Sequence, residues 1–126
     1  DKEKKMDLKQ AQKIVAEFAE ERGWHNNLPT QRGAHLVREV ARVFEHTMFM
    51  EGMTIKEPVT DLEKQIGDCL FSLLSLANRL GIDIEEQLIR ALDGDREKYP
   101  AKETRVKSLD SLREASKKFS IAPPEE

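Results

Sequence analysis

From Leu62 to Leu80 the chain places Leu62, Ile66, Cys69, Leu70, Leu73, Leu74, Ala77 and Leu80 at steps of three and four. That periodicity belongs to an α-helix. The apolar face is wide, so the segment reads as the central helix of a packed bundle. Thr60-Asp61-Leu62-Glu63 matches a capping box ahead of it, and Gly81 stops it. Through this apolar helix runs a polar line of Asp61, Gln65, Asp68, Ser72, Ser75 and Arg79. A helix that is apolar on most sides yet striped with polar groups restricts what can lie against it.

Three further helices follow from the same signals. Asp7 is a good N-cap for a helix reaching about Arg22, with Leu8, Ala11, Val15, Phe18 and Ala19 as its buried stripe. Gly23 ends it, and residues 24–29 read as a loop. Thr30 can cap a second helix running to about Met50, whose broad apolar face of Ala34, Val37, Val40, Ala41, Val43, Phe44, Thr47 and Met48 suits a bundle interior. After a loop over 51–59 and the central helix, Asp83-Ile84-Glu85-Glu86 opens a fourth, with Gly94 weakening its end. A weaker amphipathic helix is expected from Ser108 to Phe119, and Ser120–Glu126, with its Pro-Pro pair, is expected to be disordered. No strand-like alternation or internal repeat occurs. The expected fold is all-α, a four-helix bundle over residues 1–105 with a C-terminal helical extension over 106–126.

Composition narrows the function. With 21 basic and 24 acidic residues the net charge is −3, which argues against a nucleic-acid-binding module. No apolar run approaches the ~20 residues that span a bilayer, and no signal-like stretch follows Asp1, so a soluble cytoplasmic protein is expected. The single cysteine, Cys69, forms neither an internal disulfide nor a zinc site by itself. In an apolar helix it reads as a structural thiol rather than a reactive one.

The second helix carries its own polar line, His35, Glu39, Arg42 and His46, at spacings of four, three and four. Each line is either the solvent face of an amphipathic helix, or the two lines face each other across a cleft. The histidines flanking Glu39 can ligate a transition metal or stand as ordinary exposed side chains. No Glu-x-x-His pair occurs, which counts against a ferritin-like di-iron bundle.

The run Phe18-Ala19-Glu20-Glu21-Arg22-Gly23-Trp24, then Pro29, then Leu36-Val37-Arg38-Glu39-Val40, resembles the start of the MazG-like all-α NTP pyrophosphohydrolases, in particular their dCTP pyrophosphatase branch. Asp68-Cys69-Leu70-Phe71-Ser72-Leu73-Leu74, Leu76 to Asp83 and Lys98-Tyr99-Pro100 extend the likeness in order, covering roughly residues 14–101. The resemblance implies a four-helix fold, assembly as a homodimer or higher homo-oligomer, and cleavage of a nucleoside triphosphate to a monophosphate and pyrophosphate. It also implies an E-x-x-E pair and an E-x-x-D pair that hold Mg²⁺ against the polyphosphate.

This chain departs from that pattern at two of four acids. The first pair corresponds to Glu39 and Arg42, the second to Gln65 and Asp68. Only Glu39 and Asp68 remain as metal-ligand candidates. A guanidinium about 4 Å from a cation costs on the order of 4 kcal/mol at an effective dielectric near 20, so Arg42 is expected to pair with Glu39 or Asp68 instead. The family's usual tyrosine four residues after the second-pair Asp is Ser72. A lysine and an asparagine that contact phosphate and nucleotide correspond to Ala91 and Asp95, while Lys98 keeps its charge.

Trp24 matches a base-stacking aromatic of the family, or else plugs the bundle end. Phe49 stands where another aromatic often sits, or else belongs to the core. With Trp24, His35, Arg42, Phe49, Gln65, Asp95 and Lys98 as candidate substrate contacts, three functions remain open. They are a pyrophosphohydrolase with a reduced Mg²⁺ shell, a silent nucleotide-binding relative, and a helical protein for self-association or partner binding.

Overall fold

The computed structural model describes residues 5–119, all of whose regular structure is helical. The order is α1 (Leu8–Glu21), α2 (Pro29–Met50), α3 (Leu62–Leu80), α4 (Ile84–Lys98) and α5 (Ala101–Phe119). The chain divides into two compact units, residues 1–87 and residues 88–126. The division expected near residue 105 falls inside α5, and the tail expected over Ser120–Glu126 lies outside the described residues.

In the first unit α3 packs against both α1 and α2, the central position its wide apolar face requires. Asp7 caps α1 as its sequence indicates. Its carboxylate accepts from the Gln10 N–H at 2.8 Å, and the Gln10 side chain accepts from the Asp7 N–H at 2.9 Å. Gly81 ends α3 in the left-handed region at φ 69°, where a Cβ would be strained. Gln12 ties the unit together. Its carbonyl accepts from the Asn78 side chain at 2.9 Å, and its own side chain bonds Ile82 O and Ile84 N.

Two caps differ from expectation. The N-cap of α3 is Asp61, which accepts from Glu63 N and Lys64 N, whereas the Thr60 hydroxyl bonds His46 Nε2 at 2.8 Å. At α2, Thr30 lies inside the helix. Pro29 takes the first position, where a fixed φ and a missing N–H cost nothing, and the Gln31 side chain accepts from Leu28 N.

Burial overturns the expected orientation of α2. Its one buried residue is Glu39, while Val37, Val40 and Phe44 are exposed, Val37 by 69% and Phe44 by 60%. On α3 the buried residues are Gln65, Ser72, Leu74, Ser75 and Ala77, and Ile66, Leu70 and Leu73 face outward. The apolar core consists of Val15, Ala19, Leu74 and Ala77. The polar lines of α2 and α3 therefore face each other inside the unit, and much of the apolar surface of both helices faces out.

In the second unit α4 continues through Gly94 to Lys98, and α5 starts directly after Pro100, earlier than the Ser108 its apolar spacing suggests. Thr104 N–H bonds Pro100 O at 2.9 Å to close its first turn. The Ala-Lys-Glu-Thr-Arg run supplies helix formers but no apolar period, so periodicity alone misses it.

Candidate functional site

Glu39 and Gln65 are the centre of the site, 4% and 3% exposed. They meet because both helices turn their polar lines inward. The Gln65 amide donates to Glu39 Oε2 and, at 3.4 Å, to the Glu39 carbonyl. The other carboxylate oxygen, Oε1, lies 3.4 Å from Arg42 Nη1 and 3.4 Å from His35 Nε2. A buried carboxylate is tolerated when its lone pairs are satisfied, and here both oxygens are engaged. Arg42 takes the partner expected of it, but it shares the task with Gln65 and His35.

Asp68, the fourth corner, stands on the same cleft wall as Glu39 yet pairs with Lys64, both of whose contacts to it measure 3.3 Å. Mg²⁺ demands near-octahedral oxygen ligation and usually takes one or two carboxylates with free lone pairs. Glu39 is engaged at both oxygens, Asp68 is paired with Lys64, and the Arg42 guanidinium stands 3.4 Å from Glu39 Oε1. Among the described residues no three His, Cys, Asp or Glu side chains stand close enough together to hold a metal ion. This donor set does not fit Mg²⁺.

Beside the box opens a cleft. One lobe of about 480 Å³ is bordered by Trp24, Arg32, His35, Phe71, Ser72 and Ser75 among others. A second lobe of about 390 Å³ shares Trp24, His35, Phe71 and Ser72 with it and reaches Phe18, Glu39 and Asp68. Phe18 is the hub of the aromatic wall, edge-to-face with Trp24 at 5.9 Å and with Phe71 at 5.6 Å. The Arg22 guanidinium covers the Phe18 ring at 3.6 Å. Trp24 remains 46% exposed, so it lines the cleft rather than sealing the end of the helices.

The loop that presents Trp24 is pinned from both sides. Trp24 N–H bonds Ala19 O at 2.9 Å, and Arg32 donates to the Trp24 carbonyl. Arg79 Nε donates to Asn27 O at 2.7 Å. Cys69, half-buried on α3, has its thiol pushed above the usual range, first by desolvation and then by the nearby Glu39 and Asp68 charges.

Phe49 is half-buried in the last turn of α2, ten residues and roughly 15 Å of helix beyond Glu39, and does not line the cleft. His46 bonds Thr60 and takes no part in the box. Asp95 and Lys98 belong to the second unit, where the Lys98 ammonium sits 5.3 Å from the Tyr99 ring. Conversely, Phe18, Phe71 and Arg32 line the cleft without having been singled out as contacts. Phe18 reads as core from its spacing, and only the polar line through Ser72 and Ser75 pointed toward this wall.

No family model, curated protein or solved structure matches this chain. Among the described residues no helix is long and apolar enough to cross a membrane.

Proposed function

We propose that this protein is a nucleotide-binding relative of the MazG-like pyrophosphohydrolases that takes its ligand without a metal and does not run their hydrolysis. The observation that carries this reading is the Glu39 carboxylate, engaged at both oxygens by Gln65, Arg42 and His35 at the edge of an aromatic cleft. The cleft has the volume of a small-molecule site, and its largest lobe mixes apolar walls with hydroxyl and guanidinium groups. An aromatic base laid against Trp24 and Phe71 gains about 1–3 kcal/mol from stacking. Nothing in the donor set generates a nucleophile at phosphorus, so cleavage is not part of the proposal.

The test is a titration of Trp24 fluorescence, the single tryptophan of the chain, with nucleotides in EDTA and again in Mg²⁺. It is paired with a pyrophosphate-release assay. The expected result is saturable, EDTA-insensitive binding with no release. Mg²⁺-dependent release that disappears in Glu39→Ala and Asp68→Ala would restore the hydrolase reading and overturn this one.

A second reading, self-association as a homodimer, is favoured by the outward apolar faces of α2 and α3 and is compatible with the first.

A further inference from the structure

Arg32 and Arg79 share the wall of a recess of about 150 Å³ that adjoins the large lobe of the cleft. Arg32 and Ser75 border both spaces, so recess and cleft meet at these two side chains. Two guanidiniums together normally recruit a carboxylate. Here neither forms an ion pair among the described residues, although Glu20 lines the same recess. Each spends one donor on a loop carbonyl, Arg32 on Trp24 O and Arg79 on Asn27 O. A guanidinium has five N–H donors, so most of their capacity is uncommitted.

Three further observations point the same way. The Nε of Arg32 is buried with no hydrogen-bond partner. The hydroxyl of Ser72, a residue only 3% exposed on the adjoining wall, is also buried without one. A buried unsatisfied donor is costly, and both of these belong to residues that line the large lobe, where an acceptor would satisfy them. The Arg32 guanidinium is also held below its ordinary pKa, by desolvation and then by the facing Arg79 charge, which is the electrostatic state an anion relieves.

We propose that the Arg32–Arg79 recess is a metal-free oxyanion site, which receives the phosphate groups of the ligand whose aromatic part lies against Trp24. This rests on the nucleotide-binding reading for its ligand, and on the two arginines alone for its chemistry. It moves the phosphates away from the Glu39–Asp68 corner, where two carboxylates would repel them, to the basic end of the same cleft. Arg42, already engaged by Glu39, is not the phosphate contact.

The experiment titrates the full chain with sodium pyrophosphate, a nucleoside, and the matching mono- and triphosphates, in EDTA at constant ionic strength. Trp24 fluorescence and thermal midpoint are the readouts. Pyrophosphate alone is expected to raise the midpoint and perturb Trp24, and nucleotide affinity is expected to climb with phosphate number. Arg32→Gln and Arg79→Gln each weaken triphosphate binding about tenfold, the worth of a charge-assisted hydrogen bond. Arg32→Lys, which keeps the charge but not the Nε donor, weakens it less than Arg32→Gln does, and so does Arg42→Gln. If Arg32→Gln does not fold, Arg79→Gln decides.

The site is refuted if pyrophosphate moves neither readout, if sodium chloride reproduces the shift, or if the glutamine variants bind as the parent does. The two readings separate cleanly. Nucleoside binding without any phosphate dependence removes the oxyanion site and keeps the base pocket. Pyrophosphate binding that no nucleotide exceeds keeps the oxyanion site and removes the nucleotide.

Discussion

Glu39 is held by three side chains of unequal worth, and their burial ranks them. Gln65 is 3% exposed and is the one partner of Oε2, so Gln65→Ala strands a buried carboxylate oxygen. The expected loss is about 1–3 kcal/mol in chemical denaturation. Arg42 is 40% exposed and shares Oε1 with His35, so Arg42→Ala should cost at most about 1 kcal/mol. The reverse ranking would mean that the guanidinium, not the amide, is the main partner of the buried carboxylate. Cys69 supplies a pH test at the same scale. Its raised pKa keeps the thiol protonated through the range in which a free peptide thiol has begun to ionise. Iodoacetamide labelling near pH 8 should therefore be slower than for a model thiol, and rise with pH only at more alkaline values. The linkage has a matching sign: the folded state prefers the protonated thiol. This contribution to stability is present below the ordinary thiol pKa and is lost as pH climbs through the folded value. Glu39→Gln, which removes one of the charges responsible, should speed labelling at fixed pH. At this scale the spacing of two polar lines left the Glu39–Gln65 encounter as one of two alternatives, because a helical stripe looks the same whether it faces solvent or a second stripe. The roles of Phe18 and Arg32 were not. An aromatic on a buried period looks the same whether it fills a core or walls a cleft, and Arg32 falls outside the His35–His46 line.

Helix ends show where the local chemistry of the chain was sufficient and where the partner decided. Asp7 as a cap and Gly81 as a stop were readable because each is satisfied within a few residues of itself. Thr60 was not, because its hydroxyl has a competing partner, His46, fourteen residues back on another helix. Asp61 caps α3 in its place, accepting at 3.1 and 3.4 Å. Asp61→Ala should accordingly destabilise the first unit by about 1 kcal/mol, measured as a denaturation midpoint shift at constant slope. A Thr60→Ala loss as large as that of Asp61→Ala, with Asp61→Ala itself neutral, would return the cap to Thr60. The early start of α5 was illegible for a different reason: helix propensity without apolar spacing leaves no period to read. The existence and order of all five helices, by contrast, followed from sequence.

At the scale of the larger unit, α2 and α3 turn polar side chains inward and leave apolar ones exposed, which is the basis for the self-association proposed above. In the first unit α2 and α3 spend their inward faces on Glu39, Gln65, Ser72 and Ser75, leaving a core of four apolar residues. Among the described residues no large side chain is fully buried. At about 25 cal/mol per Å² of apolar area, so small a core offsets little of the 1–2 kcal/mol per residue that ordering the backbone costs. The apolar faces of Val37, Val40 and Phe44 on α2, and of Ile66, Leu70 and Leu73 on α3, are what remains to be covered. A second copy is the simplest cover, since a standard interface buries about 800 Å² on each partner and isologous pairing needs only self-complementary faces. The expected species in light scattering is therefore a dimer, of twice the 14.5 kDa chain mass. Its thermal midpoint should rise with protein concentration, because dissociation and unfolding are then linked. Val40→Glu combined with Leu70→Glu should abolish the dimer and with it the concentration dependence. A parent chain that scatters as a monomer at every concentration would sink the proposal. So would a parent whose midpoint does not move with concentration and a double variant of unchanged mass.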